Sequence, residues 1–229
     1  MGPTRLLMWD IDQTLCETRP LGSQSIIAAL TALTGTPFQG RLDLHGRTDR
    51  YTCAEALAAQ GINDPEPYFE KFFALLEAEF LARAHLLPGT HGPLPGVPAV
   101  LARLAAYPHI AQTVVTGNIP AVARAKTAAF DLARHLDFEI GGYGTDDQVR
   151  ATLVRRSRER AEARYGYPFG EVLVIGDTPH DVAAALANGV TAIGVATGAS
   201  TAADLRAAGA HAVLDSLADV PAAVEILAT

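Results

Sequence analysis

The sequence predicts an α/β protein: a mainly parallel sheet covered on both faces by helices and interrupted early by an all-helical insertion. Two observations carry this. Short β-type runs alternate with longer alanine-rich helical patterns from residue 97 onward, and strands interleaved with helices imply right-handed crossovers. Residues 21–87 carry helical spacing and no convincing strand, so the first strand is cut off from the others.

The first strand is read at 5–9, where the apolar run "LLMW" at 6–9 is ended by Asp10. Within the insertion, "YFEKFFALLEAEFLA" sets Phe69, Phe72, Phe73, Leu76 and Phe80 at helical spacing. Such a stripe packs against a partner helix, so it reads as helix core, not as an aromatic cage for a ligand. Glycine and proline crowd "LPGTHGPLPGVP" at 87–98, a linker back to the sheet. Strands are then expected at 112–115, 138–140, 172–175, 191–195 and 212–214, with helices at 97–106, 119–133, 148–164, 179–188, 201–208 and 218–227. The organisation predicted is a core of 1–20 and 88–229 with a helical unit at 21–87.

Composition narrows the partners. The 229 residues are 49% hydrophobic and carry a net charge of −7, and no stretch clusters Lys or Arg with aromatics. This argues against nucleic acid and against an anionic membrane as partners. Cys16 and Cys53 form no CxxC pair, which suits a reducing compartment. The apolar run at 6–9 is too short for a secretory signal and nothing approaches a membrane span, so a soluble, cytoplasmic protein is expected.

In open parallel sheets, ligands bind beyond the carboxyl ends of the strands. Three clusters fall there. Asp10 and Asp12 follow the first strand; Thr116, Gly117 and Asn118 follow the next in "QTVVTGN"; Asp177 and Asp181 follow a later one in "VLVIGDTPHD". A turn or a helix cap would account for one Asp pair. Several carboxylates in one cleft repel each other unless a cation sits among them, and hard oxygen ligands suit Mg²⁺, the usual partner of phosphate chemistry. The nearby hydroxyl, glycine amides and a lysine would hold phosphate oxygens.

These stretches resemble, in order, the motifs of the haloacid-dehalogenase-like (HAD) hydrolase superfamily, whose members are mostly phosphatases. "DIDQTL" is similar to the first motif (DxDGT), "VVTGN" to the second and "IGDTPHD" to the fourth. The insertion resembles the superfamily's small helical cap, and the whole pattern its phosphoglycolate-phosphatase-like branch. The resemblance implies a Rossmann-like core and a Mg²⁺-dependent phosphatase acting on a small phosphorylated metabolite, phosphoglycolate-like or a sugar phosphate. It makes Asp10 the nucleophile and Asp12 the acid and base. Mg²⁺ would be held by the Asp10 carboxylate, the Asp12 backbone carbonyl and Asp177, supported by Asp181. Thr116, with Gly117 and Asn118, would bind the phosphoryl group. Relatives that cleave carbon–halogen bonds lack the second aspartate, so Asp12 favours phosphoryl transfer. A sugar-phosphate mutase keeps both aspartates and stays open, as does a non-catalytic protein that binds a phosphorylated metabolite.

The third motif, a lysine, has two places in the superfamily. Lys126, in "AVARAKTAAF", fits one and is taken as the catalytic cation; Arg150 sits near the other. Gln13 stands where the superfamily usually has glycine, which puts the local backbone geometry in question. In the insertion, Arg47 of "LHGRTDR" is a candidate for an anionic part of the substrate. "GGYGTDD" at 141–147 reads as a glycine-rich loop near the active edge, and His180 as either lining the site or facing solvent.

Overall fold

The apolar runs that end in chemistry lie side by side. In the computed structural model, which describes residues 2–40, 42–89 and 92–229, five strands form one parallel sheet. They are β1 (Arg5–Trp9), β4 (Ile110–Val114), β5 (Glu171–Gly176), β6 (Thr191–Val195) and β7 (Ala212–Leu214), in the order β4-β1-β5-β6-β7. Trp9 pairs in register with Val114 on one side and Ile175 on the other, so three strands end level. Asp10 N–H still donates to the Ile175 carbonyl at 2.8 Å, and Val115 N–H to that of Trp9 at 2.8 Å. The ladder thus delivers the residues after each strand to one edge.

β1 is buried along its whole length because both faces are covered. Leu7 and Trp9 join one core with α4 (Val97–Leu104) and α9 (Val220–Ala228). Leu6 and Met8 join the other with α6 (Arg150–Tyr165) and α7 (Pro179–Ala187). Each such side chain, fully withdrawn from water, contributes about 1.5–3 kcal/mol. α5 (Pro120–Ala128) follows β4, and α8 (Ala202–Ala207) joins β6 to β7.

Residues 19–83 supply α1 (Arg19–Thr34), α2 (Asp49–Ala58) and α3 (Phe69–Arg83), with no strand among the described residues between them. The aromatic stripe does pack inward: Phe69, Phe72, Leu76 and Phe80 are buried, with Leu21, Ile26 and Leu30 of α1 in the same cluster. That cluster also takes in Ile119 and Val122 beside and on α5, so the insertion is seated on the core. α1 ends at Gly35, whose φ of 71° lets its N–H reach the Thr31 carbonyl.

Three parts of the reading need correction. Residues 138–140 form a single 3₁₀ turn, not a strand. Asp137 caps that turn by accepting from Glu139 N–H, and the segment docks on β4 through Asp137 N–H to the Gln112 carbonyl and Thr113 Oγ1 to the Asp137 carbonyl. Sheet pairing resumes only as one bridge between Val115 and Gly142. The linker at 87–98 also holds a short strand: β2 (Cys16–Glu17) pairs antiparallel with β3 (Gly92–Pro93), tying the chain's entry to the insertion to its exit. The helix expected at 119–133 stops at Ala128, and Asp131 takes a left-handed φ of 59° before a 3₁₀ turn at Ala133–His135.

Candidate active site

A cavity of about 510 Å³ opens between the sheet edge and the insertion. Its floor holds Asp10, Asp12, Thr116, Asn118, Lys126 and Asp177, and Arg47 comes from the insertion side. The three strand-end clusters therefore meet in one place, and the two candidate basic residues join them.

The two aspartates of "DIDQTL" are given opposite environments. Asp10 is buried within a carboxylate group: Asp10, Asp177 and Asp181 each offer an oxygen, all within 4.8 Å of one another. Burial pushes the Asp10 carboxyl well above the usual carboxylate range, against the pull of Arg150 and with the help of Asp181 and Asp12. Burial likewise raises Asp177, reinforced by Asp10 and Asp181. One cation is built in. Arg150 Nη2 lies 2.5 Å from Asp10 Oδ1 and 2.6 Å from Asp181 Oδ1. Burial works against that guanidinium's charge, but Asp181 and Asp10 more than offset it and hold Arg150 protonated.

Asp12 lies outside this group. Lys126 Nζ donates to both its oxygens, at 2.7 and 2.6 Å, Asn118 Nδ2 to Oδ2 at 2.8 Å, and Thr18 Oγ1 to Oδ1 at 2.8 Å. Burial alone would raise the Asp12 carboxyl; Lys126, Asn118 and Thr18 together bring it below the usual range. Lys126 is itself buried and also donates to Asn118 Oδ1 at 2.8 Å. Asn118 thus bridges Lys126 and Asp12. Its Nδ2 and N–H both point to Thr116 Oγ1, which leaves the Thr116 hydroxyl proton for another acceptor.

The remaining candidates divide. Asp181 accepts from Thr178 N–H and Oγ1 through Oδ2, closing a capping box on α7, so its second role is to support that turn. Arg47 lies over the Tyr51 ring, 4.6 Å from its centroid, about a third exposed at the cavity rim. His180 is exposed and not part of the cavity lining. The loop 141–147 packs under the second-motif loop, with Gly144 N–H donating to the Asn118 carbonyl at 2.9 Å. Gln13 adopts φ 64°, the left-handed conformation a glycine would supply, and its carbonyl accepts from Thr197 Oγ1.

Sequence reasoning passed over Thr18 and Asp49. Thr18 carries no local signal, because its partner Asp12 is met only once the chain turns into α1. Asp49, nearly buried at the start of α2, accepts from Ile119 N–H at 2.8 Å. Burial pushes its carboxyl up to about 7 against that hydrogen bond and the pull of Lys126.

The donor set fits a hard divalent cation: closely spaced carboxylate oxygens, raised in proton affinity by burial and mutual repulsion, suit Mg²⁺. Asp10 and Asp177 would hold it, since both oxygens of Asp181 are already engaged.

A sheet of this order, an insertion after the first strand and carboxylates gathered at the strand ends define a hydrolase class. The family model for haloacid dehalogenase-like hydrolases matches residues 7–186, and a second, HAD-hydrolase-like model matches 153–220. The chain belongs to the haloacid dehalogenase-like hydrolase family. It is 28% identical over 232 residues to "Probable phosphatase IndB" of Dickeya dadantii, covering 97% of this chain and 94% of that protein. Its fold is similar to that of a predicted phosphatase from Clostridium acetobutylicum (TM-score 0.71, 19% identity, all of both chains). It is also similar to a predicted phosphoglycolate phosphatase from Haemophilus somnus (TM-score 0.63, 17% identity, 97% of this chain and 98% of that one). No helix among the described residues is long and apolar enough to cross a membrane.

Proposed function

We propose that this hydrolase is a Mg²⁺-dependent phosphatase that cleaves a small phosphomonoester through an aspartyl phosphate on Asp10. The observation that carries the reading is the division of labour between Asp10 and Asp12. They stand two residues apart, yet one belongs to a metal-type carboxylate group and the other is paired with a lysine.

In the first step an Asp10 oxygen bonds to phosphorus as the bond to the leaving oxygen breaks, and Asp12 protonates that oxygen. In the second, water attacks the same phosphorus, Asp12 takes its proton, and phosphate departs from Asp10. The pairing with Lys126 favours the carboxylate form that the second step needs. Arrival of a phosphate dianion beside Asp12 raises its proton affinity for the first. The Thr116 hydroxyl and the Gly117 amide bind phosphoryl oxygens, and Asn118, whose N–H groups are held by Thr116 and Asp12, keeps both in position. Arg150 offsets charge at Asp10 and Lys126 at Asp12, so the two sites weighed for the third-motif cation are filled together. Mg²⁺, when bound, neutralises charge that develops on the transferring group. Arg47, which lines the cavity, would meet an anionic group on the leaving part of the substrate.

The test is phosphate release from a panel of phosphorylated metabolites and an aryl phosphate, with Mg²⁺ and with a chelator. Release that needs Mg²⁺ and is abolished by Asp10→Asn supports the reading. A phosphoryl group trapped on any other residue, or no release from any ester, overturns it; transfer to a second sugar hydroxyl instead of water would mark a mutase.

A further inference from the structure

Asp49 belongs to the insertion, yet among the described residues its polar contacts outside its own helix are to the core. The N–H groups of a helix's first turn have no partner within the helix. Here Asp49 N–H donates to the Gly117 carbonyl at 2.8 Å, and Arg50 N–H to the Gly144 carbonyl at 3.2 Å. Thr48, the residue that caps α2 by accepting from Tyr51 N–H, also donates from its hydroxyl to the Gln148 carbonyl at 3.3 Å. The start of α2 is thus hydrogen-bonded to two core loops.

The Asp49 carboxylate adds a fourth hydrogen bond. Oδ2 accepts from Ile119 N–H, and Ile119 is the N-cap residue just before α5, the helix carrying Lys126. A carboxylate at a helix N-terminus is favoured by the helix dipole. Between the two tied groups, the Gly117 carbonyl and the Ile119 amide, stands Asn118. Its side chain bridges Lys126 and Asp12. Asp49 brackets it from both sides.

The fit is close. A Cβ on Gly117 would collide with the Arg47 carbonyl, and one on Gly144 with the Gly117 carbonyl, at 2.9 Å from Asp49 N. Only glycines let the segment 47–50 settle against these loops.

We propose that Asp49 is a positioning residue, which brackets Asn118 and thereby fixes the Asp12 carboxylate for proton transfer when the insertion is seated on the core. The proposal rests on the phosphatase reading for Asp12's role, but its geometric part does not. Asp49→Ala and Asp49→Ser, the second keeping a side chain suited to a helix start, remove the tie to Ile119. Asp49→Asn keeps an oxygen that can accept it.

Two measurements on the full chain test this. The first is kcat/KM for an aryl phosphate against an alkyl phosphate. A phenolate leaves with little help, whereas an alkoxide must be protonated, so a displaced acid harms the alkyl ester selectively. Ala and Ser should lower kcat/KM about tenfold or more for the alkyl ester and less than about threefold for the aryl one, with Asn close to wild type for both. The second is amide exchange at Ile119, which should speed up in Ala and Ser and stay protected in Asn. Equal losses on both esters, or failure of Asn to rescue, would assign Asp49 a structural or substrate-binding role and overturn the proposal. Unchanged exchange at Ile119 would overturn the bracket itself. Should the wild-type chain release no phosphate, the phosphatase reading and Asp49's catalytic role fall together, and the exchange result then decides the bracket alone.

Discussion

Replacing Lys126 by methionine removes a charge from the floor of the cavity while keeping most of the side chain's length. Lys126 is almost wholly buried, and its ammonium holds both Asp12 oxygens at 2.6–2.7 Å, with Asp12 about a quarter exposed. Removing one partner of a buried pair costs about 3–5 kcal/mol, and Asp12's partial access to water puts this case near the lower end, about 3 kcal/mol. The sign with pH follows from Asp12. In the wild type its folded-state pKa lies below the unfolded value, so the pair's stabilisation is present above the usual carboxylate range and fades as pH falls through the folded value. In Lys126→Met, burial acts on Asp12 without Lys126 to oppose it, the folded pKa rises, and ionisation now opposes folding. The gap between the two proteins should widen from pH 4.5 to pH 8. Urea unfolding in a chelator at both pH values measures it, and Asp12→Asn on the Lys126→Met background should recover about 1.5 kcal/mol or more at pH 8. A loss equal at both pH values, with no rescue by Asp12→Asn, would show that Lys126 acts only by packing against Phe80 and would refute the electrostatic account.

Four further outcomes follow from the site. Arg150→Lys should lower kcat about 10²–10³-fold with the fold retained, because one ammonium cannot repeat the guanidinium's contacts with Asp10 and Asp181; steady-state kinetics beside a thermal melt separates the two effects. Asp177→Ala should raise the Mg²⁺ concentration needed for half-maximal activity, read from a metal titration, and activity that survives a strong chelator would move the metal elsewhere. Gln13→Gly should leave unfolding free energy within about 1 kcal/mol of wild type, since relief of the left-handed φ and the glycine's extra chain entropy nearly cancel. Gln13→Val should lose about 1–2 kcal/mol more than Gln13→Gly by urea unfolding, because a β-branched side chain tolerates that φ worst.

The sheet was legible because parallel strands buried on both faces read as unbroken apolar runs, and because "LLMW", "TVV" and "LVIG" each stop at a polar residue on the same edge. The run at 138–140 imitates such a strand, but three residues after a capping Asp137 are too few for periodicity to separate a strand from a turn. The pair β2–β3 has two residues a side and no pattern at all. The carboxylates were legible as a group, whereas their partners were not. Whether Lys126 or Arg150 meets Asp10 depends on how α5 and α6 sit on the sheet, and the answer is that each serves a different aspartate. Asp49 was hidden for a related reason: after Thr48 it looks like any first-turn acid of a helix, and its partner amide lies 70 residues away. Gly117 makes the general point. Read in "VVTGN" it is an amide for phosphate, and that reading uses only its neighbours in sequence. In the fold it must also lack a Cβ because the Arg47 carbonyl of the insertion packs against it. A residue can thus meet two demands at once, and a linear pattern displays only the one whose other half is nearby.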